Sequence, residues 1–278
     1  MLRHYPQTKD ELKSLVNDLS INLGDIETCF VADMSALFAN TKRVDFSGIE
    51  FWDTSKVENM AEMFLGAKGF NADISCWDTS RVKNMRSMFS FATDFNQNID
   101  LWSVSNVEDM EAMFCGALNF NQPLNSWNVS RVKYMRQMFS EAINFNQPLC
   151  KWDTQSVEDM NEMFYCAKKF NQNINSWDVS NVESTNNMFC VALNFNQPLN
   201  SWNVSKVKDM REMFKGANNF NQPLDKWDIS SATKMEKMFF CAKNFNQNLD
   251  SWNVNGIVKF DKEMFKGSPL QNNPPKWY

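Results

Sequence analysis

One histidine, His4, and eight glycines are all that 278 residues offer of two residue types on which many active sites depend. Ser-His-Asp and Cys-His nucleophilic arrangements and His-bearing zinc sites therefore have no material to work with, and His4 lies near what reads as a flexible chain end. The glycines form neither GxGxxG nor GxxxxGK, which removes the usual nucleotide-binding loops. Seven cysteines, an odd number with no CxxC spacing, argue against a disulfide framework and a zinc site, and reduced thiols in a cytoplasm are the simplest fit. No run of 18 apolar residues occurs, and charges interrupt MLRHYPQTKDELKSLV at the start, so neither a membrane span nor a signal peptide is expected. The net charge is -5 with no basic stripe, which removes a phosphate grip on nucleic acid. These absences predict a protein without catalytic residues, cofactor or metal.

What is present is periodic. With 43% hydrophobic and 22% charged residues the chain can bury a core, and self-comparison at fixed spacing shows how. All ten tryptophans, from Trp52 and Trp77 to Trp252 and Trp277, lie on one 25-residue lattice. Met-x-x-Met-Phe follows in phase, as in Met110, Met113 and Phe114, and of the 18 methionines only Met1 stands outside these columns or a one-residue slip from them. Phe70 and its equivalents to Phe245 are each followed by Asn. One unit reads F-N-Q-x-[LI]-x-x-W-[DN]-[VT]-S-x-V-x-x-M-x-x-M-F-x-x-A. Leu23, Ile26, Val31, Met34, Leu37 and Phe38 make a degenerate first turn, Phe260 with Met264 and Phe265 a slipped last one, and Pro269, Pro274 and Pro275 end the pattern.

The fold expected is an α/β repeat solenoid, a leucine-rich-repeat-like right-handed coil with a short parallel strand and a short helix per turn. Trp-x-Val alternates in period two, predicting a strand with both side chains inward and strands stacked about 4.8 Å apart. Ser followed by Val-x-x-Met-x-x-Met-Phe reads as an N-capped helix. The Asn71 to Asn246 column is expected to satisfy corner backbone groups, and the methionines to fill core rather than to bind copper or a cofactor. Residues 1–22, where Thr8 and Glu11 form a capping box before Leu12, Leu15, Val16 and Leu19, form a capping helix and lead-in; 23–268 form about ten turns; 269–278 form a C-terminal cap or tail. Glu58, Lys83, Glu108, Lys133 and Glu158, and Arg86, Glu111 and Arg136, alternate in sign and should pair between turns on the outer helix surface.

Two constellations on the strand face are candidates for function. The residue after each Trp is Asp, Asn or Ser, and the adjacent carboxylates Asp53 with Asp78, and Asp153 with Asp178, suggest a raised pKa, a calcium site or an acid/base pair, against the plainer reading of Asp and Asn as bend formers. The residue before each Trp is Phe51, Cys76 and Leu101 in three successive turns and polar thereafter. With Asp53, Asp78 and Ser103 these three make a candidate partner-binding face, unless the N-terminal segment folds over it. The sequence thus predicts a monomeric, non-enzymatic scaffold that binds a protein partner through its strand sheet, with no nucleic acid and no membrane insertion. A calcium- or glycan-binding module using the Asp/Asn column is the alternative.

The unit LNSWNVSRVKYMRQMFSEAINFNQP, Leu124 to Pro148, resembles the BspA-type leucine-rich-repeat family of bacterial surface proteins, a resemblance spanning about residues 20–270. It implies an adhesin-like, protein-binding role and a cell-surface or secreted location, where the absence of a signal peptide and the reduced-looking cysteines imply the cytoplasm.

Overall fold

The computed structural model describes residues 3–257 and 261–278; the Phe260 slot expected for the last turn lies outside them. Stacked 25-residue turns enclose one continuous core from Leu12 to Leu270. The Trp column is buried from Trp52 to Trp252, with indole centroids 6.0–6.4 Å apart in the closest pairs, such as Trp152 with Trp177 and Trp77 with Trp102. Phe64, Phe89 and Phe114 stack beside it at 5.6 and 5.7 Å.

Among the described residues neither the strand nor the helix expected of each turn forms. Among the described residues the one α-helix is α1, Lys9–Asn17, with three short 3-10 turns, Leu23–Asp25, Ile49–Phe51 and Pro269–Gln271. The Trp77 N–H donates to Ile74 O of its own turn at 3.2 Å, so this amide is not given to a neighbouring strand. The alternation itself holds: Trp102 and Val104 are buried and Ser103 is exposed. The indole N–H, not the backbone, joins the turns here, with Trp77 Nε1 donating to Ile49 O at 3.1 Å and Trp102 Nε1 to Ile74 O at 3.1 Å.

The ladder that holds the stack runs instead through the segment expected to be helical. Met60, Glu62, Phe64 and Gly66 donate their N–H groups to Asn84, Arg86, Met88 and Ser90 of the next turn at 2.7–2.9 Å. Between these rungs, Met63, Leu65 and Ala67 bond back three residues along their own turn, and Glu62 and Gly66 take left-handed φ of 59° and 64°. The paired left-handed positions recur from Ala36 and Asn40 to Lys237 and Cys241, even at Val191 with φ 58°, although such a conformation costs an L-residue about 1–2 kcal/mol. Turn spacing is the physical reason. Packed helices need roughly 8–10 Å between axes, and turns repeating at 5.6 Å leave no room for one helix each. A chain of three-residue turns buries Met60, Met63, Phe64 and Ala67 with helix-like spacing while sending every second amide to a neighbour.

In the rungs that start at Met60, Glu62, Phe64 and Gly66 each peptide points its C=O toward the preceding turn and its N–H toward the following one, so these dipoles add along the stack, while the rung from the residue after Val, as in Lys83 N–H to Glu58 O, runs the other way. The first turn presents the carbonyl end, and cations meet it. Lys13 of α1 donates to Ala36 O and, at 2.6 Å, to Leu37 O, while Lys9 bonds Ser35 and pairs with Asp33. At the opposite end a carboxylate replaces a carbonyl, Asp261 Oδ2 accepting the Lys237 N–H at 3.0 Å.

The N-terminal cap largely follows expectation. Thr8 Oγ1 accepts the Glu11 N–H at 3.3 Å, the Glu11 carboxylate accepts the Gln7 N–H at 2.7 Å, and Leu12 and Val16 are fully buried. Leu19 falls past the end of α1 and is exposed, so it is not part of the apolar stripe. His4 is not at a loose end either: its backbone bonds Asp25 and Glu27 at 2.8 and 2.9 Å. The Asn column behaves as expected, Asn71 Oδ1 accepting the Asn96 N–H at 2.9 Å and Gln97 Nε2 at 3.1 Å, and so on to Asn246.

Candidate functional site

The residue before each Trp sits on the outside of a bend. At Phe51 the bend is the 3-10 turn Ile49–Phe51, entered through Gly48 at φ 93°, which buries Ile49 and turns Phe51 out. Phe51 is 79% exposed and Leu101 88% exposed, and Cys76 between them is exposed as well, its Sγ 3.1 Å from Glu50 O. The N-terminal segment does not cover them. The six candidate residues Phe51, Asp53, Cys76, Asp78, Leu101 and Ser103 therefore share one open face, formed by bends and not by a strand sheet.

The same slot in later turns explains why Leu101 is unusual. Ser126, Ser176, Ser201 and Ser251 each donate a hydroxyl to a carbonyl of the preceding turn, at 2.6, 3.1, 2.7 and 3.0 Å. Leu101 and Phe51 have no hydroxyl and leave apolar surface in water at positions where the repeat elsewhere places a bonding residue.

The carboxylates after Trp are bend formers. Asp53 Oδ1 accepts the Ser55 N–H at 3.0 Å and the Ser55 hydroxyl at 2.6 Å, and Asp78 Oδ1 accepts the Ser80 N–H at 2.9 Å. The serine hydroxyl, then the serine amide, holds each carboxyl below its ordinary range, and the repulsion of Asp53 on Asp78 is the smallest influence on it. Asp178 is lowered by Ser180 in the same way. The raised pKa that paired carboxylates would give does not occur in these three, because each carboxylate turns back onto its own chain, as the reading of Asp and Asn as bend formers has it. No three His, Cys, Asp or Glu side chains among the described residues converge as a metal site.

Sequence reasoning missed a second aperiodic place. The rung from the residue after Val, as in Lys83 N–H to Glu58 O, and the rung from the first Met slot, as in Met135 N–H to Asp159 O, recur along the ladder. Both are missing between Glu158–Met160 and Glu183–Thr185, where the parallel bridge also lapses among the described residues. A shallow cavity of about 900 Å³ opens there, lined by Lys133, Glu158, Asp159, Asp178, Glu183 and Lys206. Two signals were available: Thr185 occupies a Met slot, and Glu158 is followed one turn on by Glu183, which breaks the alternation of sign. Elsewhere the alternation forms the expected pairs, on the ladder and not on a helix, with Lys83 to Glu58 at 2.7 Å and Lys208 to Glu183 at 2.9 Å. Arg86 pairs with Glu111 at 2.6 Å, while Arg136 reaches Glu162 instead.

No helix among the described residues is long and apolar enough to cross a membrane. No curated protein and no solved structure matches the chain. One family does, three times over, at residues 10–114, 98–192 and 173–277, each match taking in several of the Trp, Met and Phe columns described above. Covered in this way along nearly its whole length, the chain belongs to the family described as Mycoplasma protein of unknown function, DUF285.

Proposed function

We propose that the chain is a non-enzymatic, monomeric scaffold for protein–protein interaction and that the open bend face around Phe51 and Leu101 receives the partner. One observation carries the reading. Two large apolar side chains are 79% and 88% exposed at a slot where other turns place a hydroxyl bonded to the turn before. Exposed apolar clusters with a polar rim mark contact surfaces, and a rigid stack of turns presents such a cluster without an ordering cost. The resemblance of the repeat to BspA-type leucine-rich-repeat surface proteins supports an adhesin-like role of the same kind. The test is a cross-linking pull-down from the source cell with the wild-type chain and Phe51→Ser/Leu101→Ser side by side. A specific protein captured by the first and lost by the second, with both melting alike, is the expected result. Identical capture by both would remove this face from consideration.

A further inference from the structure

Resting on that reading, we infer that the partner of the bend face is a cationic amphipathic helix of another protein. Within the bend segments themselves the charge is one-sided, with Lys56 and Arg81 at their edges as minor influences on Asp53 and Asp78. Residues 44–55, 69–80 and 95–105, the bend segments of the three greasy turns, contain Asp45, Glu50, Asp53, Asp73, Asp78 and Asp100 and no lysine or arginine. The next bend segment, 119–130, carries no charge of either sign, and 145–155 carries Lys151 beside Asp153. Lys56 and Arg81 stand just beyond the bends, and Lys56 lies over the Phe30 ring at 5.7 Å. Asp45, Asp53, Asp73 and Asp78 are each held ionised by a serine two residues on.

Apolar surface runs through this acidic field. Val44 is 89% exposed and borders a shallow depression of about 630 Å³ shared with Asp45, Glu50 and Asp73. The indoles of Trp52, Trp77 and Trp102 step by 6.3 and 6.4 Å, so Phe51 and Leu101, each adjoining one of them, stand two steps apart with the smaller Cys76 between. Residues seven or eight apart on one face of a helix lie about 10–12 Å apart along its axis, which matches that separation. Such a helix would rest apolar residues on Phe51 and Leu101 and direct flanking lysines or arginines to the carboxylates. An anionic membrane surface, the other partner that exposed apolar residues suggest, would be repelled by the same charges.

The experiment is a fluorescence-anisotropy titration of the full chain against a labelled 18-residue Leu/Lys amphipathic helical peptide. Two companion peptides carry Lys→Gln or Leu→Ser throughout, and phosphatidylglycerol vesicles form a further arm. The Leu/Lys peptide should bind, Phe51→Ser/Leu101→Ser should weaken it about tenfold or more, and rising salt should weaken it further. Asp53→Asn/Asp78→Asn should weaken it several-fold without disturbing the bends, because Asn128 and Asn203 already occupy the equivalent slot and accept the same serine amide. Glu158→Gln/Asp178→Asn, at the distant cavity, should change nothing. Equal binding of the Leu→Ser peptide, or preference for the vesicles, would overturn the inference. So would Asp53→Asn/Asp78→Asn binding as tightly as wild type; if the pull-down still depended on Phe51 and Leu101, the face would remain an interaction surface with a different chemistry. Independence from Phe51 and Leu101 in both assays would remove both readings.

Discussion

The junction between the turns of Met135 and Met160 and the next one, between the turns of Met160 and Thr185, share a repeat and differ in how they are joined. At the first, Met135 N–H reaches Asp159 O at 3.0 Å, Glu158 N–H reaches Lys133 O at 2.9 Å, and methionine fills the core slot. At the second, both rungs are absent, Glu158 faces Glu183 in place of a lysine, and Thr185 fills the slot with its hydroxyl 3.3 Å from Met213 Sδ. Asn161 bridges the gap, its Oδ1 accepting the Ser184 hydroxyl at 2.6 Å and the Asn186 N–H at 2.9 Å. The difference teaches that the ladder depends on agreement between core volume, charge sign and backbone bonding. Where several of these lapse together the stack keeps its rings aligned, Phe164 and Phe189 at 5.7 Å, but loses rungs on one side.

The largest effect should come from importing the seam into the regular junction. Met135→Thr removes a fully buried thioether and is expected to lower the unfolding free energy by roughly 2–4 kcal/mol in urea titrations. A loss below about 1 kcal/mol would mean that the Met column does not hold the turns together. Next, hydrogen exchange should report the seam directly: the amides of Met160 and Glu183 should exchange about twofold to tenfold faster than those of Met135 and Glu158, given about 0.5–1.5 kcal/mol per missing bond. Equal protection would show that the rungs close in solution.

A smaller effect separates Asp-bearing from Asn-bearing bends under acid. The carboxyls of Asp53, Asp78, Asp178 and Asp228 are lowered from 3.8 by their serines, so their contribution is complete above that value and disappears as pH falls through the folded-state pKa values. Asp53→Asn/Asp78→Asn, which keeps an acceptor at each bend, should therefore shift the acid unfolding midpoint downward in a circular-dichroism titration. An unmoved midpoint would place acid sensitivity elsewhere. Smallest of all, Leu101→Ser should leave the melting temperature unchanged or raise it slightly, since a hydroxyl at this slot bonds the preceding turn in four other units. A marked drop would show that Leu101 packs against something in the folded chain.

Much of the candidate face could be read from residue types alone. Phe51, Cys76 and Leu101 break a column that is otherwise Ser or Lys, and a break in a repeat stands out without coordinates. The bonding role of the later serines was not legible, because only the stacked turns bring Ser126 to the Asp100 carbonyl. The seam was half legible: Thr185 and the Glu158–Glu183 repeat of sign are visible in sequence, whereas the loss of two rungs depends on where the backbone turns.

Periodicity by itself determined the 25-residue turn, the buried Trp, Met and Phe columns, the amide column and the capping box of α1, since each depends only on which side chains are apolar or can bond at fixed spacing. Tertiary structure alone decided where the main-chain hydrogen bonds go. An apolar residue every third or fourth position is shared by a helix and by a run of three-residue turns. Turns only 5.6 Å apart at the Phe64 column exclude packed helices and let the amides of one turn reach the carbonyls of the next.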